Sequence, residues 1–302
     1  MKRVAAIDIG TNTCLMLIAE KFDNSLKVIA DLQRVPRIGR NVDADRKISA
    51  DSVKNLIDVL KEYKEICTAN VCEEIIAVGT SALRDAANSQ EILSEVKEST
   101  GISIECISGE REAALSYFGA ISGISSGKDN CIMLDIGGGS TELCFLENGE
   151  IVRRSLDIGS VRITEKFFIK DNHSELISAQ EFIRREFHEL SDLNFENKKL
   201  VVVAGTVTTL ALIKKEHKDF DPEIQNLILT ANDIDEMFEK LKHISKEDIL
   251  KLGSYMENRS DIIFAGSLIL NEFLKFSMLE QVIVSIRGLR YGLALESLDL
   301  II

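Results

Sequence analysis

The sequence predicts an α/β chain folded as two domains of like construction, on three observations. A hydroxyl-rich Asp-Ile-Gly turn occurs twice, at Asp8-Ile9-Gly10-Thr11-Asn12-Thr13 and at Asp135-Ile136-Gly137-Gly138-Gly139-Ser140-Thr141. Strands and helices follow each copy in one order. A length of 302 residues at 45% hydrophobic composition exceeds the usual single-domain size and supplies enough apolar side chains for two cores.

The elements come in sequence as follows. Residues 4–9 are an apolar run that reads as a buried strand. After the turn at 10–13, residues 15–19 resume as a second, which makes a hairpin with hydroxyls at its tip. Residues 26–31 complete a meander. Ser52, Val53, Leu56, Ile57, Leu60, Tyr63 and Ile66 fall at helical spacing. A strand at 74–78, a turn at Gly79-Thr80-Ser81, a helix at 90–97 and a strand at 102–107 come next, then a helix at 113–121 entered through Ser108-Gly109. The polar stretch 122–130 divides the halves and the pattern restarts: strand 131–136, the glycine turn, strand 142–146, Asn148-Gly149, strand 150–155. Asn-Gly between apolar runs is a strong hairpin signal. A helix near 178–190, a strand at 200–204, a Gly205-Thr206 turn, a helix from Thr208 and a last helix at 291–298 finish the chain. The expected domains are 1–124, joined by the returning C-terminal helix within 290–302, and 125–289.

Composition narrows the function classes. A net charge of -13 argues against a broad nucleic-acid or anionic-membrane surface, because such partners are held by basic patches. No apolar stretch approaches a membrane span, and Met1-Lys2-Arg3 runs directly into a short apolar segment, so a cytoplasmic protein is expected. The six cysteines form no C-x-x-C pair and read as reduced core residues. Histidines at 173, 188, 217 and 243 are scattered, which disfavours a histidine-based metal site.

A tight glycine turn aims backbone N–H groups at one point, Ser and Thr hydroxyls add donors, and an Asp can hold a hydrated cation against the same anion. Gly10, Thr11, Asn12 and Thr13 supply this set once; Gly137, Gly138, Gly139, Ser140 and Thr141 supply it again. One such turn alone could equally cap a hairpin; two in equivalent places point to phosphate. Gly205-Thr206 is a third glycine-hydroxyl turn, either a plain strand-to-helix link or a helix N-terminus facing an anion. There is no G-x-x-x-x-G-K-[S/T], and the Gly137–Gly139 run lacks G-x-G-x-x-G spacing.

Glu112 lies in the first turn of a helix whose apolar side is Leu115, Tyr117, Phe118 and Ile121. There it either orients a water as an ionised carboxylate or caps the helix. Glu142 leaves the second turn along a strand that carries its carboxylate towards the same phosphate. Asp8 and Asp135 either hold magnesium or close their own turns. Arg84 follows Gly79-Thr80-Ser81 near a helix start suited to anions. Arg34, Arg37 and Arg40 form a local basic segment, a guide for a polyanion or a solvated loop. Arg287 and Arg290 flank the last glycine turn with the same two readings.

Taken together these stretches resemble the exopolyphosphatase and guanosine pentaphosphate phosphohydrolase family. The matches are I-D-I-G-T-N-T at 7–13, G-T-S-A-L-R-D-A-A-N at 79–88, I-S-G-E-R-E-A at 107–113, L-D-I-G-G-G-S-T-E-L at 134–143 and R-G-L-R-Y-G at 287–292. The resemblance implies the actin-like ATPase fold, two ribonuclease-H-like domains flanking an active-site cleft. It implies Glu112 as catalytic base, Glu142 as second catalytic glutamate and magnesium ligand beside Asp8 and Asp135, and Arg84 as a phosphate contact with the glycine turns and Gly205-Thr206. It implies hydrolysis of the terminal phosphoryl group of inorganic polyphosphate. Alternatives are hydrolysis of guanosine pentaphosphate to the tetraphosphate, and a non-catalytic actin-like sensor of nucleotide or polyphosphate. Leu15 stands where many members carry Arg or another polar residue, the arginine being associated with nucleotide binding, which weighs against guanosine pentaphosphate; the helical C-terminal domains that extend the substrate channel of larger relatives are not represented, which weighs against processive action on long chains. A homodimer is the expected assembly.

Overall fold

The computed structural model of the chain describes residues 2–125, 128, 130–168 and 175–301. Residues 126, 127 and 129 of the expected linker, and His173, lie outside the described residues. By its internal contacts the chain separates into two compact units, Met1–Gly119 with Leu289–Ile302, and Ala120–Gly288.

In the first unit β1 (Arg3–Ile9), β2 (Cys14–Phe22) and β3 (Ser25–Arg34) make an antiparallel meander, and β4 (Glu74–Gly79) and β5 (Ile104–Cys106) extend it in parallel, in the order β3-β2-β1-β4-β5. From Val4 onward β1 is apolar except for Asp8, because both of its faces are covered. Ala5, Ile7 and Ile9 pack with Leu56, Leu60, Tyr63, Ile92 and Val96 of helices Ala50–Ala69 and Ser89–Thr100. Val4 and Ala6 face the other way, onto Leu115, Leu289, Leu293 and Ala294. The last helix, Leu289–Ser297, is therefore part of the first unit, and Gly292 lets it close on the backbone of Leu115.

The second unit repeats the plan. β6 (Cys131–Ile136), β7 (Thr141–Glu147) and β8 (Glu150–Leu156) form the meander; β9 (Lys199–Val203) and β11 (Gln281–Val284) are parallel additions, and β10 (Ile228–Thr230) is an antiparallel edge. The order β8-β7-β6-β9-β11-β10 matches that of the first sheet with one strand appended. Asn148 and Gly149 both take positive φ, 52° and 84°, the requirement of a two-residue hairpin turn.

Two parts of this unit were not expected from the sequence. Helix Ile263–Ser277 is buried nearly all round and forms the centre of the second core, where it meets Val207, Phe238, Phe187 and Leu134. A segment apolar on every face has no helical stripe to read. Within it the Glu272 carboxylate, 1% exposed, is held by Arg184 Nε at 2.6 Å and Gln180 Nε2 at 3.1 Å, which satisfies a charge that burial alone would penalise. Helix Ala231–His243 starts from a capping box between Thr230 and Asp233, a signal the sequence did carry.

Most cysteines are core residues as expected: Cys14, Cys67, Cys131 and Cys144 are buried, and burial pushes the Cys144 thiol up to about 12. Cys106 departs from this, at an exposed strand end. Among the described residues no helix is long and apolar enough to cross a membrane.

Candidate active site

The two Asp-Ile-Gly turns are copies of one structure. Each is a four-residue link between antiparallel strands, from Ile9 to Cys14 and from Ile136 to Thr141. Each is closed by the same hydrogen bond, Gly10 N–H to Thr13 carbonyl at 2.9 Å and Gly137 N–H to Ser140 carbonyl at 3.0 Å. A side chain at either glycine would press on that acceptor, at 3.2 Å and 3.0 Å.

The segment after each meander then takes up the turn's carbonyls. In the first unit Gly39 N–H reaches the Thr11 carbonyl at 2.8 Å and Arg37 N–H the Asn12 carbonyl at 3.2 Å. In the second, Ser160 N–H reaches Gly137 at 2.9 Å, Val161 and Arg162 N–H reach Gly138 at 2.8 and 3.1 Å, and Arg162 Nε reaches Gly139 at 2.7 Å. A trans peptide points its N–H opposite to its C=O. Fixing the carbonyls on one side therefore aims the amides of Asn12 and Thr13, and of Gly138, Gly139 and Ser140, to the other, the arrangement that holds an anion. The Thr141 hydroxyl faces inward and donates to the Ile158 carbonyl at 2.6 Å, tying the turn to the segment behind it.

The strand register places the acidic groups. Asp135 on β6 is opposite Glu142 on β7, which is opposite Ser155 on β8, so the three share one face of the sheet. The Ser155 hydroxyl donates to Glu142 Oε1 at 2.9 Å, and Glu142 is 1% exposed. The corresponding row in the first unit is Asp8, Leu15 and Gln33. The copies thus share the aspartate and differ at the next strand, carboxylate in one and apolar side chain in the other.

In the first unit Ser108, not Glu112, caps helix Gly109–Ser122: its hydroxyl accepts from Arg111 N–H at 3.2 Å. Glu112 is released from that duty. It is 8% exposed, and Arg84 Nη1 donates to its Oε2 at 3.2 Å and to the Ile107 carbonyl at 3.0 Å. Arg84 sits in the last turn of the short helix Ser81–Asp85, so it is brought to Glu112 by the bend after β4.

Gly205 and Thr206 are not a separate turn. Helix Ala204–Lys214 begins directly at the end of β9, because Ala204 takes φ of 70° and reverses the chain in one residue. The Arg259 guanidinium lies where a Cβ on Gly205 would project, so a side chain at 205 would displace it. Sequence reasoning did not single out Arg259, since nothing local to it marks the approach. It is half-buried, burial lowers its pKa to about 10, and no carboxylate of the described residues pairs with it. A cation held at a helix N-terminus without a counter-ion makes a ready anion contact.

Three of the other basic candidates are engaged within the fold and one is exposed. Arg34 is paired with Glu62, and Arg290 with Asp31 through two bonds of 2.7 and 2.9 Å; burial opposes the Arg290 charge and the Asp31 carboxylate more than offsets it. Arg287 binds Ser122. Arg40 is exposed.

Comparison with known proteins is consistent across sequence and structure. The model of the Ppx/GppA phosphatase family matches residues 17–300. The bifunctional 3-dehydroquinate synthase/phosphatase of Fusobacterium nucleatum is 36% identical over 312 residues, covering 98% of this chain and 46% of that protein, so the chain spans about half of that relative's length. Exopolyphosphatase 2 of Mycobacterium tuberculosis is 28% identical over 98% of both. The crystal structure of the Aquifex aeolicus Ppx/GppA family member superposes with a TM-score of 0.82 at 32% identity, covering 99% of this chain and 98% of that one.

Proposed function

Since the chain belongs to the Ppx/GppA phosphatase family, we propose that it is an exopolyphosphatase, releasing orthophosphate from the end of inorganic polyphosphate. The observation that carries this reading is the asymmetry of the duplicated turn. Both copies aim amides for phosphate, and one alone sets a buried carboxylate, Glu142, on the adjoining strand. A carboxylate beside a phosphate turn is suited to orienting a water for attack. The full-length match to a protein named exopolyphosphatase supports the same substrate.

In this reading each unit offers phosphoryl oxygens its own contacts: the amides of Asn12 and Thr13 in the first, and those of Gly138, Gly139 and Ser140, together with Gly205, Thr206 and Arg259, in the second. Glu112 in the first unit and Glu142 in the second are the carboxylates assigned to water, one to accept its proton and one to orient it. The water oxygen forms the new P–O bond as the terminal phosphoanhydride bond breaks, and the chain leaves one phosphate shorter. Phosphoryl transfer demands alignment and charge neutralisation more than a strong base, which suits two carboxylates so placed.

Magnesium belongs to the proposal. Asp135 and Glu142 are hard oxygen donors side by side in register, with Asp8 the counterpart of Asp135 in the other unit. Among the described residues no cluster of three or more metal-ligating side chains occurs. Magnesium commonly binds through one or two carboxylates, waters and the substrate's own phosphates, so this donor set fits. When bound the ion would neutralise charge on the phosphates.

Orthophosphate release from short polyphosphate, long polyphosphate and guanosine pentaphosphate, each with and without magnesium, tests the proposal. Magnesium-dependent release from polyphosphate is expected. Release from guanosine pentaphosphate alone would establish the nucleotide reading, and tight binding without release would establish a sensor.

Arg259 supplies an independent check. A half-buried, unpaired guanidinium is unfavourable for folding, so Arg259→Leu is expected to leave the melting temperature unchanged or raise it. The same change should raise KM for polyphosphate by about tenfold or more, the loss of one charge-assisted phosphate contact. A variant that melts earlier with unchanged KM would make Arg259 a structural residue.

A further inference from the structure

We propose that Ser155 is a positioning residue, which fixes the Glu142 carboxylate for attack; this rests on the assignment of Glu142 to catalysis. Glu142 is nearly sealed from solvent, so its orientation depends on what the protein gives it to bond. Ser155 stands directly opposite on β8, and its hydroxyl donates to Oε1 at 2.9 Å. A glutamate has three side-chain torsions, and a carboxylate held at one oxygen loses the freedom to turn its plane away from the phosphate turn.

Comparison of the two units separates this contact from an ordinary cross-strand pair. The two sheets are built alike, and the row Asp135, Glu142, Ser155 has its counterpart in Asp8, Leu15, Gln33. Where the middle residue is leucine there is no carboxylate to hold. The small hydroxyl residue occurs in the copy that carries the charge. Ser155 is itself exposed on an edge strand, where a serine has little packing to contribute. Its hydroxyl is what the position uses.

The hairpin makes the device rigid. Asn148-Gly149 sets the pairing of Glu147 with Glu150, and the register runs without a bulge to Glu142 and Ser155. The matching pair in the first unit, Leu15 with Gln33, lies beyond a register shift at Ile18/Ala19, part-way along β2 and β3.

The test is a double-mutant cycle on polyphosphate hydrolysis with Ser155→Ala, Ser155→Thr, Glu142→Gln and the Ala/Gln combination. Ser155→Ala is expected to lower kcat by about tenfold, the loss of one hydrogen bond to a charged group, with KM and melting temperature little changed. Ser155→Thr keeps the hydroxyl and suits a strand, so it should restore kcat. In the Glu142→Gln background, Ser155→Ala should cost nothing further, because its effect passes through Glu142. A Ser155→Ala enzyme with normal kcat beside an inactive Glu142→Gln would overturn the inference alone, as would a further loss in the double variant. An active Glu142→Gln enzyme would overturn the catalytic assignment and the inference with it.

Discussion

Glu112→Gln should fold normally, bind polyphosphate normally and release phosphate about 100- to 1000-fold more slowly. The magnitude is that of a general base removed from a site that keeps its other contacts. Stability should change by about 1 kcal/mol, because Arg84 loses a charged partner at 3.2 Å and keeps the Ile107 carbonyl at 3.0 Å. Helix Gly109–Ser122 should be untouched, since its cap is Ser108. Steady-state kinetics and thermal melting decide the matter together: a fall in kcat with KM and melting temperature held is the expected pattern. Glu110→Gln, two residues away in the same turn and exposed, is the control that should behave as wild type. Near-normal turnover in Glu112→Gln would remove Glu112 from the chemistry.

Gly159→Ala should damage both stability and activity. The added methyl would fall on the backbone of Gly138 and Gly139, atoms that cannot rotate aside as a side chain can. Relief requires the 160–163 segment to lift from the turn, and with it the hydrogen bonds from Ser160, Val161 and Arg162 that hold the Gly137 and Gly138 carbonyls. Overpacking of this kind costs roughly 2–3 kcal/mol. Released carbonyls would let the amides of Gly138, Gly139 and Ser140 turn from the phosphate, so kcat/KM should fall at least tenfold, measured alongside the melt. Gly149→Ala gives the contrast: its φ of 84° makes alanine strained, but nothing lies within 4 Å of a new Cβ. There only stability should fall, by about 1 kcal/mol.

Much of this architecture could be read directly. The duplicated turns, the meander after each and the parallel strands that follow have local signatures: apolar runs, glycine with hydroxyls, an Asn-Gly pair. The central helix Ile263–Ser277 could not be read as helix, because burial on all sides erases the periodicity that identifies one. Gly205 was legible as part of a glycine-hydroxyl turn at a helix start, while its spatial neighbour Arg259 was not, for only the tertiary fold brings them together. Ser155 is a different case. The Asn148-Gly149 turn fixes the β7–β8 register, so the opposition of Glu142 and Ser155 follows from counting back along the hairpin. That information was present in the sequence. The equivalent count from the first hairpin would have failed, because the shift at Ile18/Ala19 moves every later pair.

The structure also revises what the arginines do. Arg290 and Arg34 have counter-ions within the fold, so a basic residue in an acidic chain was no guide to a phosphate contact. Arg84 bonds to Glu112, so its first service is to hold a carboxylate in place. Arg259, with which no carboxylate of the described residues pairs, is the cation that the proposed function assigns to the anionic chain.

The most direct test of the account is polyphosphate hydrolysis in 18O-labelled water with magnesium, the released orthophosphate being read by mass spectrometry. If carboxylates orient a water for attack on the terminal phosphoryl group, each orthophosphate must carry one labelled oxygen, and Glu112→Gln must suppress its appearance. Phosphate released without label, or no release at all from polyphosphate, would contradict the account.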